Sequence, residues 1–101
     1  MPRLYEYFGL ILIFYANEHE PVHVHAKCQG REARAEFVIL DGAIAEIRFG
    51  ATPGRARLTD QEMRLFREIT NARADDIVQK WIDYFVFNKS IQPERITRRL
   101  K

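Results

Sequence analysis

The sequence predicts an α+β domain, a four-stranded antiparallel meander with two C-terminal helices packed on one face. Three observations lead there. Residues up to Phe49 are rich in β-branched and aromatic side chains, and much of that stretch alternates apolar with polar. Gln29-Gly30 and Asp41-Gly42 supply hairpin turns. From Thr59 onward, apolar residues recur at helical spacing behind a capping box. The expected layout is a single domain: strands over 1–49, a basic loop over 50–57, helices over 58–88 and a basic tail over 89–101.

Tyr7 to Ala16 is a nearly continuous apolar run and reads as one central strand. Asn17 to Pro21 is polar, ends in proline and reads as a loop. Beyond it Val22, Val24, Ala26 and Cys28 point one way, and His23, His25 and Lys27 the other. Ala33, Ala35, Phe37 and Ile39 alternate in the same manner with Glu32, Arg34 and Glu36. With a two-residue turn at Gln29-Gly30, Val22 faces Phe37, Val24 faces Ala35 and Ala26 faces Ala33. The other face then sets Lys27 against Glu32, His25 against Arg34 and His23 against Glu36.

Asp41-Gly42 leads into a strand from Ala43 to Phe49. A plain two-residue turn would oppose Phe37 with Glu46. The apolar face instead wants Phe37 on Ile47 and Ala35 on Phe49, so a bulge or a longer loop is expected near Ala43. Thr59 and Glu62 form the capping box, with Leu58 and Met63 at hydrophobic-staple positions. Met63, Leu65, Phe66, Ile69 and Ala72 line the first helix. Ala74, Ile77, Val78, Trp81, Ile82 and Phe85 line the second, whose first turn holds Asp75 and Asp76.

Composition limits the function classes. The 101 residues carry 16 Lys+Arg and 14 Asp+Glu, a net charge of +2, too near neutral to imply nucleic-acid binding by itself. Cys28 is the only cysteine, so no intrachain disulfide forms, and the expected compartment is reducing and cytoplasmic. Leu10 to Tyr15 is too short to span a bilayer and is not followed by a small-residue cleavage site.

The chemically loaded segment runs from Asn17 to Ala26. His19, His23 and His25 are all the histidines of the chain. Three neutral imidazoles suit zinc or another borderline divalent metal and leave a coordination position open. Glu18, Glu20 and Glu36 are the candidate oxygen ligands or orienting carboxylates. Set beside this is a plainer reading in which His23, Glu36 and Arg48 form a charged row on a solvated sheet face. A third has the face contact RNA or a small anion. No residue is singled out as catalytic: the only serine, Ser90, lies in the tail, and Cys28 faces the core.

The basic clusters, Arg55 and Arg57 in the loop and Arg95, Arg98, Arg99 and Lys101 in the tail, are the candidate phosphate contacts. The register also places Ile11, Ile13 and Tyr15, with Leu40 and Ile44, on the histidine face. That apolar surface should be covered by a second copy, by a partner, or by the tail through Ile91, Ile96 and Leu100.

The sequence resembles a small bacterial family, the domain of unknown function numbered 4160. The resemblance rests on the Met-Pro opening, on Tyr7-Phe8-Gly9, and on the run from Glu18 through His19, Glu20, Pro21, Val22, His23, Val24 and His25 to Ala26. Asp76, Ile77, Val78 and Trp81 match its closing helix. Glu18 stands where the family has aspartate, and Val22 where it has a second proline. The resemblance carries no established activity. It implies one half of a two-gene, toxin–antitoxin-like module, and the leading expectation is an interaction protein that binds a partner protein, with RNA as a further ligand. The rival expectation is a small metal-dependent hydrolase with His19, His23 and His25 as ligands.

Overall fold

The computed structural model describes residues 2–16 and 21–101. Eight elements follow one another: β1 (Arg3–Tyr7), β2 (Leu10–Ile13), β3 (His23–Cys28), β4 (Arg31–Leu40), β5 (Ala43–Ala51), α1 (Asp60–Ala72), α2 (Ala74–Phe85) and β6 (Glu94–Ile96). The strands form one sheet in the order β5-β4-β3-β2-β1-β6. β1 to β5 make an antiparallel meander, and β6 joins β1 in parallel. The fold is α+β with two helices, as expected. The sheet is six-stranded and mixed, not the expected four-stranded antiparallel meander.

Both added strands have physical reasons. The run from Tyr7 to Ala16 is not one strand: Phe8 and Gly9, at φ of 47° and 90°, turn the chain so that Tyr7 pairs with Leu10. Positive φ at both central residues is the hairpin geometry whose twist matches that of the strands. No polar residue marks this turn, because Tyr5, Tyr7, Leu10 and Leu12 are all buried in the same core. β6 lies in the basic tail. Arg95 faces Glu6 and pairs with it at 2.9 Å, while Ile96 is buried beside Tyr7.

The central registers agree with the alternation. His23 lies opposite Glu36, Val24 opposite Ala35, His25 opposite Arg34 and Lys27 opposite Glu32. Phe37 opposes Ile47 and Ala35 opposes Phe49. The chain achieves this with a two-residue turn at Asp41-Gly42 and an extra residue, Ala45, between the partners of Val38 and Ile39. The bulge therefore sits two residues beyond Ala43.

α1 begins at the Thr59–Glu62 capping box, with both of its hydrogen bonds formed. The two helices cover the face that carries Tyr5, Tyr7, Leu10, Leu12, Phe14, Val24, Ala26 and Phe37. Phe66 of α1 packs edge-on against Phe49, and Phe85 of α2 lies 5.8 Å from Phe14. The tail returns to this side too. Ile91, Ile96 and Leu100 pack on the helix-side core, so they do not roof the histidine face.

Carboxylates on the helices tie the layers together. Glu62 takes hydrogen bonds from Arg31, from the Thr59 amide and from the Cys28 thiol. Glu68 takes them from Tyr7 and Arg99. The Arg31 guanidinium holds Glu62 down to about 2, and the Arg99 guanidinium, helped by Tyr7, does the same for Glu68, against an ordinary value of 4.5. The folded chain thus binds these protons more weakly than the unfolded chain. The stability they lend is full above about pH 4.5 and is lost as pH falls toward about 2. Glu62→Gln and Glu68→Gln are each expected to flatten the acid limb of the pH–stability curve, measured by urea unfolding across that window. An acid limb as steep as the wild type's in both variants would refute this.

Candidate histidine site

β3 places His23 and His25 on the sheet face opposite the helices, two residues apart. Their ring centroids are 5.1 Å apart and the rings meet edge to face. Neither is solvated: His23 is 7% exposed and His25 2%. The row of His23, Glu36 and Arg48 runs across the strands as expected, but its histidine end is buried, so the reading of a wholly solvated row is corrected. Arg48 turns back along its own strand to Glu46 at 3.0 Å.

Each ring is held through Nδ1. His23 Nδ1 lies 2.6 Å from the Pro21 carbonyl oxygen. His25 Nδ1 lies 3.0 Å from Glu32 Oε2, and the other oxygen of that carboxylate accepts from the Tyr15 hydroxyl at 2.8 Å. A carbonyl and a carboxylate both accept, so each Nδ1 carries a proton and donates it. Glu32 is 1% exposed, and Arg55 Nε stands 3.9 Å from it. Tyr15 packs edge-on against His25 at 4.5 Å, and Lys27 Nζ lies 5.7 Å from the Tyr15 ring centre. A buried carboxylate thus gathers a phenol and an imidazole, with a guanidinium at its margin.

Glu32, not Glu36, is the orienting carboxylate. Strand alternation sets Glu32 against Lys27, its direct cross-strand neighbour, and does not show the diagonal reach to His25. Two expected members, Glu18 and Glu20, and the third histidine, His19, lie outside the described residues. Among the described residues no group of three or more His, Cys, Asp or Glu is arranged to hold a metal. What the described chain supplies is an oriented pair of imidazoles.

A family model for a domain of unknown function, DUF4160, matches residues 9–82, more than half of the chain. The chain belongs to this family. The match runs from the Phe8-Gly9 turn to Ile82 in α2 and so includes both described histidines. No curated protein and no solved structure matches.

The remaining candidate residues of this DUF4160 chain are dispersed. All six basic residues are exposed, and three of them, Arg55, Arg95 and Arg99, face Glu32, Glu6 and Glu68. The apolar face is not the expected patch. The register does put Ile11 and Ile13 on the histidine side, opposite Lys27 and His25, but Ile13 is 1% exposed, buried by its own chain. Ile44 pairs with Ile39 and packs toward the helix-side core, because the Ala45 bulge reverses its side. Leu40 alone of that set is strongly exposed. Burial, then its bond to Glu62, pushes the Cys28 pKa up, which disfavours the thiolate. No helix of the described residues is long and apolar enough to cross a membrane.

Proposed function

We propose that this domain binds a divalent metal of the zinc class through Nε2 of His23 and His25 and uses it in hydrolysis. The observation that carries the reading is the matched tethering of both Nδ1 atoms, to the Pro21 carbonyl and to Glu32. Metal-binding histidines are held in this way, because an acceptor on one ring nitrogen fixes the tautomer, aims the other nitrogen and makes it more basic. A further ligand completes such a site, and His19 is the candidate from the sequence. A metal held by few protein ligands keeps a position for water and lowers its pKa toward neutrality, which is the chemistry a hydrolase needs.

Calorimetric titration of the metal-stripped protein with zinc tests this. The expected result is one ion per chain, with binding weakened at least about a hundredfold in His23→Ala and His25→Ala, since each removes a first ligand. Zinc should also raise the melting temperature of the wild type but not of the variants. A wild type that takes up no zinc would end the proposal. A chain that binds zinc yet shows no chelator-sensitive cleavage of a chromogenic phosphodiester or ester would confine it to metal binding.

A second reading, one half of a toxin–antitoxin-like module that docks on a partner protein and contacts RNA, draws on the exposed Leu40, Val86 and Phe87 and on the exposed Arg57, Arg98 and Lys101.

A further inference from the structure

We infer that two copies of this chain join through β5, edge to edge and antiparallel, centred on Ile47, to make one continuous sheet. This is independent of the metal reading. β5 is an outermost strand of the sheet, nine residues long, and among the described residues β4 is its only partner strand. Its outward backbone groups can be read from the pairing pattern. Phe37 donates its amide to Val22, so the odd residues of β4 bond β3 and the even ones bond β5. Opposite those even residues lie Glu46, Arg48 and Gly50. Ile47 and Phe49 therefore turn their amides and carbonyls outward, where a further strand would sit.

Edge strands are commonly guarded by charges that repel a second copy. Here Glu46 and Arg48 are of opposite sign and pair with each other along the strand at 3.0 Å, so they can exchange partners with a second copy instead of repelling it. With Ile47 opposite the second copy's Ile47, Glu46 falls opposite the second copy's Arg48, and Arg48 opposite its Glu46, twice over by symmetry. Ala45 falls opposite Phe49, small against large. Sliding the copies by two residues either way keeps the faces matched. It also sets Glu46 on Glu46 or Arg48 on Arg48, so the complementary register is distinguished from its neighbours. Both charged residues are exposed and lie on the face opposite the helices.

The helix side of this edge is an unfinished apolar layer. Ala33, Ala35 and Phe37 of β4 are fully buried there, whereas Ile47 and Phe49 of β5, with Met63 of α1, are only partly covered. A second copy brings its own Ile47 and Phe49 against them and completes the layer.

The test is sedimentation equilibrium of the full chain and two charge reversals. The wild type is expected to dimerise. Arg48→Glu makes positions 46 and 48 both acidic, Glu46→Arg makes both basic, and each alone should weaken self-association at least about tenfold. An equimolar mixture of the two variants should recover the dimer, because each now complements the other. Matching thermal melts would show that the variants fold. A wild type that stays monomeric at high micromolar concentration would overturn the inference. So would a dimer indifferent to both reversals, or a mixture that associates no better than its components.

Discussion

Ile13→Asp is expected to unfold the domain. Read from the sequence alone, Ile13 belongs to an apolar face awaiting a partner, and an aspartate there would simply keep copies apart. In the structure Ile13 is 1% exposed and lies opposite His25. The substitution removes a buried branched side chain, which costs about 2–5 kcal/mol for large-to-small changes. It also places a carboxylate opposite His25, whose Nδ1 already donates to Glu32. A buried charge without a partner adds several kcal/mol more, on the order of what breaking a buried ion pair costs. Against a total stability of about 5–15 kcal/mol for a domain of this size, the loss should lower the melting temperature by roughly 20 °C or leave the chain unfolded. Far-ultraviolet circular dichroism and limited proteolysis read this directly. A variant that melts like the wild type while sedimenting as a smaller species would restore the association face.

How far the sequence could be read follows from what marks each element. The β3–β4 register was legible because Gln29-Gly30 fixes the turn and both faces alternate cleanly, so a slip would invert each face. The helices were legible because Thr59 and Glu62 sit three apart before an apolar stripe. β1 was hidden by burial. Tyr5 and Tyr7 enter the same core as Leu10 and Leu12, so the hairpin between them shows no polar punctuation beyond Gly9. β6 is three residues long, follows Pro93 and carries Glu94 and Arg95, which reads as tail.

The candidate site divides in the same way. The histidine pair on one face came directly from the period of two along β3. Its burial and its orienting carboxylate did not, because both depend on a diagonal contact and on Tyr15 folding over the face. Direct cross-strand neighbours are what alternation shows; which diagonal wins is set by side-chain reach. The bulge shows the same limit. That one residue had to be inserted follows from matching Phe37 to Ile47, but its position at Ala45, and with it the side to which Ile44 points, is decided by three-dimensional packing.

Glu32 should be the residue whose loss is felt most widely, and two substitutions separate its roles. Glu32→Ala removes the acceptor for both the Tyr15 hydroxyl and the His25 Nδ1–H in a site that is almost fully buried. The buried His25 Nδ1–H and the half-buried Tyr15 hydroxyl each lose this acceptor, and a lost buried bond costs about 1–3 kcal/mol, so this variant should be strongly destabilised, by roughly 2–5 kcal/mol in urea titrations. Glu32→Gln keeps the shape. Its amide oxygen accepts from His25, and its amide nitrogen donates to a rotated Tyr15 hydroxyl, so stability should fall by no more than about 1 kcal/mol. What the glutamine cannot supply is negative charge behind the imidazole. If Glu32 positions His25 and raises its basicity for a metal, zinc affinity should fall about 10–100-fold in Glu32→Gln even though the variant folds, the range found when such supporting partners are removed. A glutamine variant that binds zinc as the wild type does, beside an alanine variant that is merely unstable, would reduce Glu32 to a buried structural carboxylate.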